Sequence, residues 1–109
     1  MKVPTINFDH NKTEQAEFEV IELTSLYQNN FNHNDPAKPH KIKFFILIYI
    51  EKGEGTHMID FVNHPYSSGS FIFVQREQVH AFDFDNKPQG KVLLFTQAFL
   101  DQVHANMRL

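Results

Sequence analysis

The sequence predicts a mainly β fold, an antiparallel barrel of jelly-roll type with one short C-terminal helix. Three observations carry this. Short apolar runs recur at regular spacing between turn signals rich in Gly, Pro and Asn. Twelve of the 109 residues are Phe and none is Trp, so the core is bulky and its rings need no hydrogen-bond partner. Helical periodicity is confined to the stretch after Gln97.

Taken in order, Glu17 to Leu26 opens with alternation, Phe18 and Val20 against Glu17 and Glu19, and is read as a strand. Gln28 to Pro39 is polar, holds several Asn and two prolines, and predicts a long loop able to act as a flap. Ile42 to Glu51 is almost wholly apolar and predicts a strand buried on both faces. Lys52-Gly-Glu-Gly55 predicts a hairpin turn, with Thr56 to Val62 as the return strand. A further turn is expected between His64 and Gly69, then a short strand at Ser70 to Val74 and a polar link at Gln75 to Gln78. Val79 to Phe84 alternates and sets His80, Phe82 and Phe84 on one face. Asp85 to Gly90 predicts a turn and Lys91 to Phe95 the last strand. Phe99, Leu100, Val103 and Met107 then recur at helical spacing.

Length fits one domain, with an N-terminal arm over 1–14, a barrel over 15–95 and the helix over 97–108. Such a chain buries about two thirds of its unfolded surface and needs no staple. The net charge of −3 argues against direct contact with nucleic acid, whose phosphates call for a basic surplus. The absence of cysteine removes thiol chemistry and Cys-ligated metals. No signal-like or membrane-length apolar segment is present, so a cytoplasmic protein is expected.

Few local patterns point to catalysis. Ser67-Ser-Gly-Ser70 is a hydroxyl-rich turn without the strand-to-helix setting of a serine nucleophile. Glu17/Glu19 and Asp83/Asp85 each project to one face, expected to be the wet one. Gly53-x-Gly55 lacks the following glycine and helix of a phosphate loop. His33, His57 and His64 read as turn or surface histidines. Alternation does define an interior. If His40 faces inward, so do Lys38, Ile42, Phe44, Ile46 and Ile48, while Phe45, Leu47 and Tyr49 face the other way and need another cover.

The segment from Pro39 to Phe82 resembles the N-terminal effector-binding and dimerisation domain of AraC-type transcription regulators. The marks are His40-x-x-x-Phe44, Gly53-Glu-Gly-Thr-His57, Ile59-Asp-Phe61, the Gly69 turn into Ser70-Phe-Ile-Phe-Val74, and Gln78-Val-His80 followed by Phe82. A weaker likeness runs through KVLLFTQAFL, Lys91 to Leu100. The resemblance implies a cupin barrel, a homodimer, and a small-molecule effector that controls DNA binding by helix-turn-helix units expected beyond Leu109.

It also bears on the site. Cupin enzymes hold a metal with His-x-His, a Glu four residues later and a distant His. Here His40 and His80 match, but Ile42 and Ile46 stand at the other two positions, so neither metal, cofactor nor enzyme activity is expected. In sugar-responsive relatives a basic residue before the first central strand and an aromatic after the distant His touch ligand, which points to Lys38 and Phe82. The closing strand offers only Val92 and Leu94, which argues against a sugar. The candidate ligand-binding set is thus Lys38, His40, Ile42, Phe44, Ile46, His80, Phe82 and Val92, suited to a flat, apolar or weakly acidic molecule. The same side chains also suit a simply filled barrel, hence a structural dimerisation module. A stand-alone cupin isomerase or dioxygenase is the remaining alternative.

Overall fold

The apolar alternation resolves into two facing sheets in the computed structural model, which describes residues 3–6, 17–28 and 35–107. In chain order the elements are β1 (Thr5–Ile6), β2 (Phe18–Glu22), α1 (Ser25–Gln28), β3 (His40–Ile42), β4 (Phe45–Lys52), β5 (Gly55–Ile59), β6 (Val62–Tyr66), β7 (Phe71–Val74), β8 (Val79–Ala81), β9 (Gln89–Phe95) and α2 (Gln97–Met107). One sheet has the order β1-β3-β8-β5-β6 and the other β2-β9-β4-β7. Every pairing is antiparallel except β1 with β3. This is the expected cupin-like jelly roll, with the short helix at its C-terminal end.

The core lies between the sheets. Leu23, Ile42, Ile48, Ile50, Val74 and Val92 are each at most 1% exposed, so the inward rows are fully withdrawn from water. Burying side chains of this size contributes roughly 1.5–3 kcal/mol each before the entropy of ordering them is counted. On β4 the even-numbered residues Ile46, Ile48 and Ile50 face this core, while Leu47 and Tyr49 lie half-buried on the outer face.

Two sequence expectations need correction. The run from Ile42 to Glu51 is not one strand. It breaks at Lys43–Phe44, where the chain leaves the first sheet and enters the second. Inward parity survives the break, because Phe44 and Ile46 are buried as His40 and Ile42 are. Lys52 to Gly55 is not a hairpin either. β4 pairs with β7 and β9, and β5 with β6 and β8, so this turn is a crossover between sheets with Gly53 at φ 120°. The true hairpin joins β5 to β6 through Asp60 and Phe61, at φ 50° and 66°. Phe rarely adopts that left-handed backbone, so local propensity hid the turn. Asp60 holds it in place, accepting from the Val79 amide at 3.0 Å and from Gln78 Nε2 at 3.0 Å. The turn expected between His64 and Gly69 is present at Ser68–Gly69, with His64-Pro65-Tyr66 ahead of it in β6. β6 is an edge strand, where proline's missing donor is tolerated.

Other differences are smaller. Val79 to Phe84 is strand only as far as Ala81, and Ser25–Gln28 forms one helical turn where a strand end was expected. Most of the expected arm over 1–14 and half of the loop from Gln28 to Pro39 lie outside the described residues. Among the described residues no helix is long and apolar enough to cross a membrane.

Candidate functional site

The site is built from the strand pair β3–β8. Asp35 shapes the approach: its carboxylate accepts from the Ala37 amide at 2.9 Å and its carbonyl from the Lys38 amide at 3.0 Å. This tight turn, followed by Pro39, delivers His40 into β3 directly opposite His80 on β8. The two imidazole rings lie 4.3 Å apart between centroids. His57 on β5 completes a buried cluster, its Nε2 sharing a proton with His80 Nδ1 at 2.9 Å. Phe82 stands edge-on to His57 at 4.7 Å and stacks on Phe84 at 5.2 Å.

Burial dominates the electrostatics of these rings. Desolvation lowers His40 below the ordinary histidine range, against the pull of the Lys38 carbonyl and of Asp35. It pushes His57 down to about 4 and His80 down to about 2, and the neighbouring imidazoles add to both shifts. All three rings are therefore neutral at pH 7. The tautomer of His40 follows from its partner. A carbonyl can only accept, so Nδ1 carries the proton it donates to Lys38 O at 2.9 Å. Nε2 of His40 is left as an acceptor. His80 Nε2 is buried with no hydrogen-bond partner among the described residues.

Beside this cluster lies a cavity of about 170 Å³ between the two sheets. Of the eight residues singled out from sequence, His40, Ile42, Phe44, Ile46, Phe82 and Val92 line it. The other two are elsewhere. Lys38 is exposed, and it is its backbone carbonyl, not its ammonium, that serves the site. His80 sits behind His40, wholly buried, and does not border the cavity. Ile6, Ile21, Leu26, Pro36 and Leu94 complete the lining and were not singled out. Shared parity with Val92 was the signal for Leu94, whereas on β2 the expected wet face of Glu17 and Glu19 is the one that turns Ile21 inward. Ile6 and Pro36 reach the cavity only through long-range pairing of the N-terminal arm and the loop, which leaves no local trace. His57 was read as a turn or surface residue and is instead 1% exposed, because the residue after the crossover turn begins a strand of the first sheet.

The arrangement is an apolar wall with a single polar side chain among the described residues. Ile42 and Ile46, the two aliphatic residues at the positions the resemblance compares with metal ligands, both line the cavity. Among the described residues no group of three or more His, Asp or Glu is placed to hold a metal ion.

Residues 24–109 match the model of a family described as the AraC-like ligand binding domain. No curated protein matches the chain. Among solved structures, the plu4264 protein from Photorhabdus luminescens is similar to it at a TM-score of 0.46 and 12% sequence identity, over 83% of this chain and 88% of that one.

Proposed function

We propose, from the premise that the chain belongs to the family of AraC-like ligand-binding domains, that its effector occupies the cavity between the sheets and thereby controls DNA binding by helix-turn-helix units of the same regulator. The observation that carries this reading is the composition of the cavity wall. One pocket is lined at once by β1, α1, the Pro36 turn and strands of both sheets. A molecule held there touches the N-terminal arm through Ile6 and the long loop through Pro36. Occupancy thus couples to segments that lie at the edge of the barrel. It shifts them only to the extent that their two arrangements bind the effector with different affinity. The domain works by binding, without turnover, in the cytoplasm.

The experiment is a thermal-shift screen of small aromatic and aliphatic metabolites against the wild type and Leu94→Trp. Leu94 is half-buried on the cavity wall, so the larger ring fills the space at modest cost in packing. An effector at one hundred times its Kd is expected to stabilise the wild type by about 2.7 kcal/mol and the variant hardly at all. Equal stabilisation of both proteins would place binding elsewhere and end this reading.

The same reading includes a homodimer, and an outward surface supports it. On the outer face of the second sheet Phe71 is 66% exposed, Val20 50% and Phe73 45%, an apolar row too large to be ordinary surface scatter. α2 covers one end of it, Phe99 stacking on Phe18 at 4.9 Å, and carries Leu100 and Met107 outward. A second copy laid on this row would bury it. Phe71→Lys with Phe73→Glu is expected to convert a dimer to a monomer in sedimentation. A dimer that survives both charges would exclude this face.

A further inference from the structure

The cavity constrains the molecule it takes, and the argument rests on the reading that it is the effector site. Its volume is about 170 Å³. An apolar cavity of roughly 150 Å³ holds a benzene molecule. One ring with a small substituent therefore matches the space.

The polar content of the wall is equally restrictive. Among the described residues His40 is the sole lining residue with a polar side chain. Its Nδ1–H is committed to Lys38 O, so the ring's remaining nitrogen, Nε2, can only accept. A ligand meets one acceptor and otherwise Ile, Leu, Val, Phe and Pro. A polyol would leave several hydroxyls unpaired in an apolar wall, each at a cost in affinity. A carboxylate would enter beside a bare nitrogen lone pair with no cation among the described lining residues, since Lys38 is exposed and absent from them. It would have to bring its own proton or place one on an imidazole that burial keeps neutral. A ligand with a single hydroxyl donor on one ring meets none of these penalties.

We infer that the cavity selects a neutral, single-ring phenol or comparable ring alcohol, whose hydroxyl donates to His40 Nε2 while its ring packs between the two sheets. The choice is set by hydrogen-bond polarity, with the Lys38 carbonyl acting as the positioning group that fixes the tautomer of His40.

The probes are p-cresol, toluene and benzoate, titrated into the purified chain at pH 7.5 and followed by the methyl resonances of Ile42, Ile46 and Val92. Their affinities are compared between the wild type and His40→Phe, which keeps a ring and removes the acceptor. p-Cresol is expected to bind, benzoate to bind at least tenfold more weakly, and the ratio of p-cresol to toluene affinity to fall at least tenfold in the variant. Toluene binding to His40→Phe shows that the variant is folded with its cavity open. Should that variant not fold, the imidazole ¹⁵N shift of His40 in the wild type decides: Nε2 moves upfield with p-cresol and stays with toluene. A ratio unchanged by the substitution, a silent Nε2, or benzoate as the tightest probe would overturn the assignment while leaving the cavity as a binding site. Failure of all three probes to perturb the methyl groups would overturn the cavity reading and this assignment with it.

Discussion

Gly90→Ala is expected to destabilise the domain by about 3 kcal/mol or more, since a Cβ there meets the closest contact of any of the four glycines. A Cβ at Gly90 would lie 1.9 Å from the backbone oxygen of Tyr49, 3.0 Å from its carbonyl carbon and 3.1 Å from the Glu51 nitrogen. None of these is the far end of a side chain that can swing away. Gly90 lies on β9 opposite Ile50, beside the irregularity in register between Ile50 and Lys52. Its carbonyl also accepts the Leu23 amide at 2.9 Å, tying β9 to the end of β2. β9 is the strand between β2 and β4, so relieving the clash would part the centre of the second sheet. For a domain of this size the cost corresponds to a fall in Tm of roughly 10 °C or more. Gly69→Ala is the control. Nothing lies within 4 Å of its Cβ position, and only its φ of +93° is strained. It is expected to cost about 1–2 kcal/mol. If thermal melts rank Gly69→Ala as the worse of the two, the close approach of β4 and β9 is wrong.

The reading of Gly90 shows where sequence reasoning stops. Asp85 to Gly90 carries Asn, Pro and Gly, and local chemistry predicts a turn. The turn is there, at Asp85 and Asn86, but the glycine belongs to the strand that follows. It is required by a backbone forty residues earlier, which no window of sequence contains. The same holds for Lys52 to Gly55. Glycine announces that the chain turns, not which strand it will meet, and the partner of β5 proved to be β6. On β2 alternation misleads, since its apolar residues Phe18 and Val20 face outward; along β3 and β4 it does report which side of the strand is dry. That signal carried the inward row from His40 through Ile48 across the break at Lys43–Phe44, since the chain keeps its inner side as it changes sheets. It is also why His40, Ile42, Phe44, Ile46, Phe82 and Val92 were legible as one wall, whereas Ile6 and Pro36 were not. The resemblance to a known family added the ordering of these pieces and the overall fold. It did not reveal that Lys38 serves through its carbonyl or that His57 is buried against His80. Both depend on side-chain directions set by tertiary packing.

Acidification from pH 7 to pH 5 is expected to cost the folded domain several kcal/mol, and the buried imidazoles are the cause. His57 and His80 are 1% and 0% exposed and hydrogen-bonded to each other. Burial holds His57 at about 4 and His80 at about 2, against 6.5 in the unfolded chain. Below pH 6.5 the unfolded chain takes up these protons and the folded one does not. The unfolded state binds more protons, so stability rises with pH and falls on acidification. For His57 the loss develops between pH 6.5 and about 4, and for His80 it continues below that. At pH 5 each ring has lost roughly 2 kcal/mol, from a total stability that is typically about 5–15 kcal/mol. His40, lowered in the same direction, adds to the slope. Ordinary carboxylates titrate near pH 4, so the interval from 7 to 5 isolates the histidines. The urea midpoint should therefore drop markedly across this interval in the wild type. In His57→Leu with His80→Leu, where both partners of the buried hydrogen bond are removed together, it should drop much less, by the share of His40 alone. A wild-type midpoint that is flat from pH 7 to 5 would mean the cluster is open to water. The cavity beside it would then be wet as well, and the discrimination against charged ligands argued from His40 would lose its basis.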